Sequence, residues 1–263
     1  MRVLNPDLDV EQFFRHVKRA SERVLLLDYD GTLAPFHKRP EWALPYPRVA
    51  DILKQGTRRR STRVVIVSGR RLADLRGPLA RIGLREAWAA HGWEQLTAEG
   101  ECVDYQPTNL AKRQLLVAEA RSRGLGMHGV RVERKAASVA VHWRGVPRYA
   151  SDLAQEKLRG AWHRIEGGQL DLLEFEDGIE LLARGHNKGG AVLEVLSNCS
   201  KDAACAYLGN DTTDEDAFAA VKSRGLAVLV RPGLRPTCAD LWLEPPHELV
   251  AFLEQWCAGG EAH

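Results

Sequence analysis

The stretch RVLLLDYDGTLAPF, residues 23–36, decides the fold. It begins with Val24, Leu25, Leu26 and Leu27 in an unbroken apolar run, the signature of a short strand buried on both faces of a parallel sheet; a half-exposed strand would alternate. The run stops at Asp28, and Asp30, Gly31 and Thr32 follow. Two carboxylates therefore stand just beyond the carboxyl end of a buried strand, where open α/β sheets bind their ligands. A single Asp-x-Asp-Gly also reads as a solvated turn. Carboxylates this close repel unless a cation or a shared proton compensates, and a hard cation such as magnesium takes oxygen ligands of this kind.

Outward from this stretch the pattern repeats. RVVIV, residues 63–67, is a second apolar run that ends at Ser68 and Gly69, where a hydroxyl and a backbone amide suit phosphate oxygens. Helix-like spacing over 47–60 and 72–81 and a short strand over 87–90 complete an alternation that predicts a parallel sheet. From Asn109 the character changes to a helix over 110–123, strands over 130–134 and 138–143, a helix over 150–164, and strands over 169–174 and 178–182. That order is a self-contained α+β unit. The alternation resumes with a helix over 188–196, a strand over 204–208, a helix over 214–224 and a strand over 227–230. The expectation is an α/β core, residues 1–107 and 184–263, interrupted by an α+β domain, residues 108–183.

Two more motifs fall at expected strand ends. HNKGGAV, residues 186–192, sets Lys188 at a helix start, where cation and helix N-terminus act together on an anion. GNDTTDEDAF, residues 209–218, sets Asn210, Asp211 and Asp214 after a strand; its acidic residues also suit a helix cap.

Composition narrows the function classes. With 263 residues, 44% hydrophobic and 27% charged, the chain is ordinary globular protein, which excludes disordered, collagen-like and coiled-coil readings. Lys plus Arg number 37 against 35 Asp plus Glu, a balance that points away from nucleic acid, so the arginines at 58–60 read as a solvated helix end. The absence of a long apolar run or a secretory pattern sets the expectation of a cytoplasmic protein with no membrane contact. Five cysteines without a CxxC pair read as reduced thiols, and without HExxH any metal is expected on oxygen. Trp88, Trp93, Trp143 and Trp162 read as packing residues, and His142, on an alternating strand, as structural.

DYDGTL, SGR, the lysine of NKGG and the acidic GNDTTDED, in that order, resemble the phosphohydrolases of the haloacid dehalogenase superfamily. Within it the chain resembles the trehalose-6-phosphate phosphatase family, through DYDGTLAPF, HGWE at 91–94, VERKAASVAVHWR at 132–144, NKGGAV and GNDTTDEDAF. The resemblance implies a HAD-like Rossmannoid parallel core with an inserted α+β cap. It implies magnesium-dependent hydrolysis of trehalose 6-phosphate through an aspartyl-phosphate, the last step of trehalose biosynthesis, with a trehalose-phosphate synthase as pathway partner. Asp28 would be the nucleophile and Asp30 the acid/base, and Ser68 and Lys188 would hold the phosphoryl oxygens. Magnesium would be held by Asp28, the Asp30 carbonyl and the acidic motif, where Asn210, Asp211 and Asp214 all stand as candidates. Glu133, Lys135, Arg144 and Glu180 match sugar-contacting positions, with Asn187, beside the core lysine Lys188, as an addition. One departure is Asn210, where many relatives have Asp. The rival readings are a phosphatase for another sugar phosphate, such as sucrose phosphate or a glycosyl phosphoglycerate, and a catalytically silent sensor.

Overall fold

The computed structural model describes residues 1–37, 39–58, 62–165, 168–175 and 177–258. The chain forms two units, Met1–Val103 with Asn187–His263, and Asp104–His186. In chain order the first unit opens with β1 (Arg2–Val3), α1 (Val10–Arg19), β2 (Arg23–Leu27), α2 (Val49–Arg58), β3 (Arg63–Val67), α3 (Leu72–Ile82), β4 (Ala87–Ala89), β5 (Glu94–Leu96) and β6 (Cys102–Asp104). The second unit carries α4 (Asn109–Gly124), β7 (Arg131–Arg134), β8 (Ser138–His142), α5 (Arg148–Trp162), β9 (Leu170–Phe175) and β10 (Gly178–Ala183). The first then resumes with α6 (Lys188–Ser197), β11 (Ala204–Gly209), α7 (Glu215–Val221), β12 (Gly225–Val230), β13 (Leu241–Leu243) and α8 (His247–Ala258).

The large sheet runs β1-β13-β12-β11-β2-β3-β4-β5-β6. From β13 to β4 its neighbours are parallel, and β1 and β5 pair antiparallel to β13 and β4. β2 lies at the centre, buried along its length. Alternation of its side chains divides the core: Leu25 and Leu27 join Phe14 and Val17 of α1, Leu53 of α2, Leu75 of α3 and Phe252 and Trp256 of α8 in one cluster. Helices over both faces explain why the central strands read as continuous apolar runs. Since β2, β3 and β11 are parallel, their carboxyl ends place Asp28, Ser68 and Asn210 on the same edge of the sheet.

The second unit is a four-stranded antiparallel sheet, β7-β8-β10-β9, with α4 and α5. Trp162 and Leu115 pack between its elements, and the Trp162 indole donates to the Ser122 hydroxyl at 3.1 Å.

Several boundaries differ from the sequence reading for visible reasons. α2 starts at Val49 because Arg48 is left-handed, with φ of 72°, which no helix accepts; Arg59 and Arg60 lie outside the described residues. The helix expected from residue 214 starts one residue later, after a 3₁₀ turn over Thr212–Asp214 that Asp211 and Asp214 hold as a capping box. Among the described residues no helix is long and apolar enough to cross a membrane, and the five cysteines are free.

Candidate active site

Asp28 leaves β2 almost fully buried, 4% exposed, because the next four residues wrap back on themselves. Leu33 and Ala34 donate to the Tyr29 carbonyl at 3.0 Å each, and Gly31 donates to Ala34 O at 2.7 Å. Gly31 sits at φ of 82°, and a Cβ there would stand 2.2 Å from the Asn210 amide, so this turn needs glycine twice over. The turn aims the Asp28 carboxylate at three neighbours. Lys188 Nζ donates to Oδ1 at 2.9 Å, Thr32 Oγ1 donates to Oδ2 at 3.2 Å, and the outer end of the Asn210 amide lies 3.1 Å from Oδ2.

Lys188 comes from the first turn of α6 and is itself buried. It bridges two carboxylates, donating to Asp28 and, at 2.7 Å, to Asp214 Oδ1. Asp214 is saturated: Oδ1 also accepts from the Tyr207 hydroxyl at 2.6 Å, and Oδ2 accepts the N–H groups of Asn210 at 2.8 Å and Asp211 at 2.9 Å. Burial alone would raise its pKa, but Lys188 and these donors outweigh burial and hold it below the ordinary carboxylate range. Asp28, with fewer donors, goes the other way: burial pushes it up to about 7 against the pull of Lys188, with Asp214 adding to the rise. On Lys188 burial works against the charge, yet the two carboxylates keep its pKa above the usual value.

These contacts sort the candidates for metal. Asp214 has no oxygen left to offer, and its work is to anchor Lys188 and the loop after β11. Asp211 caps the 3₁₀ turn, accepting Thr212 N–H at 2.7 Å. Asn210 is the one of the three whose side chain reaches Asp28, and the same amide end lies 2.9 Å from the Asp30 carbonyl oxygen. Adjacent ligands on an octahedral ion at about 2.1 Å stand roughly 3 Å apart, so the spacing of Asp28 Oδ2, Asp30 O and the Asn210 amide suits magnesium. Among the described residues no three His, Cys, Asp or Glu side chains gather around a cation, so such an ion would take the mixed carboxylate, carbonyl and amide set typical of hard cations.

Asp30 is held apart from Asp28. Arg70 grips its carboxylate with Nε and Nη2 at 2.5 and 2.6 Å, and Nη2 also donates to Pro40 O at 2.8 Å. Ser68, buried at the end of β3, accepts the Arg70 N–H on its hydroxyl at 3.2 Å, which leaves its proton for another acceptor. The HGWE segment supports this loop. Ala90, His91 and Gly92 are all left-handed, at φ of 48°, 58° and 94°. Ala90 N–H donates to Arg70 O at 2.6 Å and His91 N–H to Ser68 O at 3.0 Å. A Cβ on Gly69 would stand 2.6 Å from His91 Nε2, and one on Gly92 2.9 Å from Asn187 O, so a strained turn braces both the Ser68 and the Lys188 loops. Asn187 is spent on structure: its Oδ1 accepts Gly190 N–H at 2.7 Å as N-cap of α6, and its Nδ2 donates to Asp216 at 3.0 Å.

Within the second unit, Glu133, Ala140 and Glu180 lie in one cross-strand row on β7, β8 and β10. Lys135 Nζ contacts Glu180 Oε1 at 3.0 Å, and Ser138 donates to the same oxygen. His142 contacts Glu133 Oε2 at 3.0 Å. Burial would raise Glu133, but the bond from His142 and the charges of Lys135 and Arg131 bring it down to about 2. Arg144 pairs instead with Asp177 at 2.9 Å. His142 thus orients Glu133, in keeping with a structural histidine.

The sequence reading missed Arg70, Thr32, Tyr207 and the positive-φ turn at His91. Arg70 was in plain view as the third residue of SGR. Thr32 and His91 belong to motifs already singled out, while Tyr207 lies in the strand before GNDTTDEDAF; Thr32 meets Asp28 four residues back through the local turn, and Tyr207 meets Asp214 seven residues on.

A parallel core with an α+β insert is also the fold of a haloacid dehalogenase-like hydrolase from B. subtilis, which superposes with a TM-score of 0.60 at 15% identity over 88% of this chain and 99% of that one. The C-terminal domain of trehalose-6-phosphate phosphatase from C. albicans superposes with a TM-score of 0.83 at 20% identity, over 97% of this chain and 99% of that one. The trehalose-phosphatase family profile matches residues 26–239, and the chain belongs to that family. A bifunctional trehalose-6-phosphate synthase/phosphatase of Thermoproteus tenax is 30% identical over 95% of this chain and 34% of its own length. A trehalose-phosphate phosphatase of Mycobacterium ulcerans is 32% identical over 87% of this chain and 60% of its own. The chain thus spans about a third to three-fifths of these curated relatives.

Proposed function

We propose that this protein is a magnesium-dependent phosphatase that hydrolyses trehalose 6-phosphate to trehalose and inorganic phosphate through a phosphorylated Asp28. The observation that carries the reading is the division of labour on Asp28: Oδ1 faces Lys188, while Oδ2 faces the Asn210 amide, whose same end also lies against the Asp30 carbonyl. Oδ1 attacks the phosphorus, its bond to phosphorus forming as the bond from phosphorus to the sugar oxygen breaks. The Asp30 carboxyl gives its proton to the departing sugar oxygen and afterwards takes one from the water that attacks the phosphorus, releasing phosphate and restoring Asp28. Lys188 and the Ser68 hydroxyl hold the transferring oxygens. Asp28, the Asp30 carbonyl and the Asn210 side chain would hold magnesium, which would supply positive charge to offset the repulsion between carboxylate and phosphate.

For Asp30 to reach the departing sugar oxygen, the Arg70 fork must let it go, since both carboxylate oxygens are engaged by the guanidinium. Arg70 is therefore the residue that parks Asp30 until substrate arrives. The inserted unit, residues 104–186, acts as the cap, and Glu133, Lys135 and Glu180 accept and donate hydrogen bonds to the disaccharide hydroxyls. Arg144, paired with Asp177, borders that row. The substrate follows from family membership and from the named activities of the relatives. The synthase fused in one relative supports a functional pairing with a trehalose-phosphate synthase.

The test is rapid acid quench of a single turnover of trehalose 6-phosphate carrying ³²P in its phosphoryl group. Label should appear transiently on the peptide that holds Asp28, as an acyl phosphate labile to hydroxylamine, and pass from there to inorganic phosphate. Phosphate that forms at full rate with no label on that peptide at any time contradicts a covalent intermediate, and Asp28→Asn should release no phosphate.

A further inference from the structure

Asn210 sets an amide against the Asp28 carboxylate and the Asp30 carbonyl, and its surroundings give that amide two distinct uses. The side chain is buried, 3% exposed. Its backbone is clamped on both sides, the N–H donating to Asp214 Oδ2 at 2.8 Å and the carbonyl accepting from Arg231 and Arg235 at 3.4 Å each. The outer end of the amide lies 2.9 Å from Asp30 O and 3.1 Å from Asp28 Oδ2, and both of these atoms are acceptors. The inner end lies over Gly31, where a Cβ would stand 2.2 Å away. The two ends of the amide thus have fixed places, and a half-turn about the Cβ–Cγ bond exchanges which atom occupies which.

The chemistry at the outer place decides the orientation. With no cation present, an oxygen there faces the oxygens of Asp28 and Asp30 and accepts only from the Thr32 hydroxyl at 3.3 Å, whereas an N–H₂ group donates to both of those oxygens. With a hard cation between the three, only an oxygen can be a ligand. We propose that Asn210 is a two-state residue: its amide nitrogen bridges Asp28 and the Asp30 carbonyl while the metal is absent, and its amide turns over to offer oxygen when magnesium binds. The inference rests on the metal-dependent reading of the site. An aspartate at 210 could do only the second of these things, since in the metal-free protein it would set a buried charge against the oxygens of Asp28 and Asp30. The amide therefore keeps the metal-free site folded in a competent shape, at the cost of weaker magnesium binding, because the ion must displace two hydrogen bonds.

The experiment compares thermal unfolding of the wild type and Asn210→Asp in excess chelator and in saturating magnesium. In chelator the variant should melt on the order of 5–10 °C lower, from two lost hydrogen bonds and a buried like charge in a chain of this size. In magnesium the gap should close, so that the magnesium-induced rise is larger for the variant. Selective ¹⁵N labelling of asparagine gives a second readout that needs no variant to be stable without metal: the Asn210 side-chain resonance, assigned by its absence from Asn210→Asp, should be hydrogen-bonded and slow to exchange in chelator and should move on magnesium titration. A variant as stable as the wild type in chelator, or a side-chain resonance that ignores bound magnesium, overturns the two-state amide while leaving the metal-dependent reading in place. If magnesium stabilises neither protein, the metal-dependent reading itself fails and takes this inference with it.

Discussion

Replacing Lys188 by methionine, similar in length and without charge, asks how much the fold depends on the cation that it shares with the active site. Lys188 is the cation hydrogen-bonded to both Asp28 and Asp214, and all three side chains are buried, at 4%, 5% and 0% exposure. Removing one partner of a buried ion pair costs about 3–5 kcal/mol, because the remaining charge keeps its desolvation penalty and loses its compensation. For a chain of this size that corresponds to a fall of roughly 6–20 °C in Tm. The sign of the pH dependence follows from linkage. Without Lys188, Asp214 loses the pull that holds its pKa down, and Asp28, already raised to about 7 by burial, rises further, so the penalty is present above the folded pKa and is relieved as pH falls through it. The deficit should be larger at pH 8 than at pH 5. Thermal denaturation of Lys188→Met at both pH values, in chelator, measures it, with Asp214→Asn and the double variant closing a mutant cycle in which the two losses are far from additive. A deficit below about 2 °C, or one equal at both pH values, would refute the argument that Lys188 compensates buried carboxylates. Phosphate release should fall by on the order of 100-fold or more with the loss of a charged donor to the transferring oxygens, even where the variant remains folded.

Other outcomes follow from the same contacts. Arg70→Ala frees Asp30 from the fork that parks it, so kcat for trehalose 6-phosphate should hold or rise; a fall of on the order of tenfold or more would show that the fork positions Asp30 for proton transfer and does not merely park it. Glu133→Ala and Glu180→Ala should cost far more with trehalose 6-phosphate than with a small aryl phosphate, and equal losses on both would assign these residues to the fold. Because Glu133 is held down to about 2 by His142, Lys135 and Arg131 against its burial, its stabilising contribution is present above the unfolded pKa near 4.5 and lost as pH falls from there; acid unfolding of Glu133→Gln should be less steep over that window, and a curve as steep as that of the wild type would remove the claim. Chelation should stop phosphate release, magnesium restore it and calcium inhibit, since a larger ion with looser geometry favours bidentate capture of Asp28; full activity in excess chelator would exclude the metal.

The core was legible where apolar runs meet a polar motif. β2 and β3 were read to the residue because strands buried on both faces need continuous Val and Leu, and their ends were marked by Asp28 and Ser68. The edges were not read. β5 and β6 are three residues each and partly exposed, so no hydrophobic period marks them, and β1 is two residues paired with β13 from the far end of the chain. α1 and α8 were passed over although their apolar faces cover the same cluster as Leu25 and Leu27, since short amphipathic segments without a motif draw no attention. Within the site, the sequence placed Asn210, Asp211 and Asp214 together but could not rank them. Their ranking depends on Tyr207, Lys188 and two backbone amides filling the Asp214 oxygens, contacts that only the paired strands create. Asn187 was read as a sugar contact; in the structure its Oδ1 caps α6 and its Nδ2 donates to Asp216, and the Asn-Lys-Gly-Gly spacing also carries the cap.

The central claim is a disaccharide-phosphate hydrolase whose chemistry belongs to Asp28 and whose choice of substrate belongs to the inserted unit. It is tested most directly by phosphate release from trehalose 6-phosphate, sucrose 6-phosphate, a glucosyl phosphoglycerate and an aryl phosphate, each with and without magnesium. Trehalose 6-phosphate should be hydrolysed with the highest kcat/KM by a wide margin, and only with magnesium. A preference for another sugar phosphate would contradict the substrate, and binding of trehalose 6-phosphate without release of phosphate from any member of the panel would contradict the enzyme.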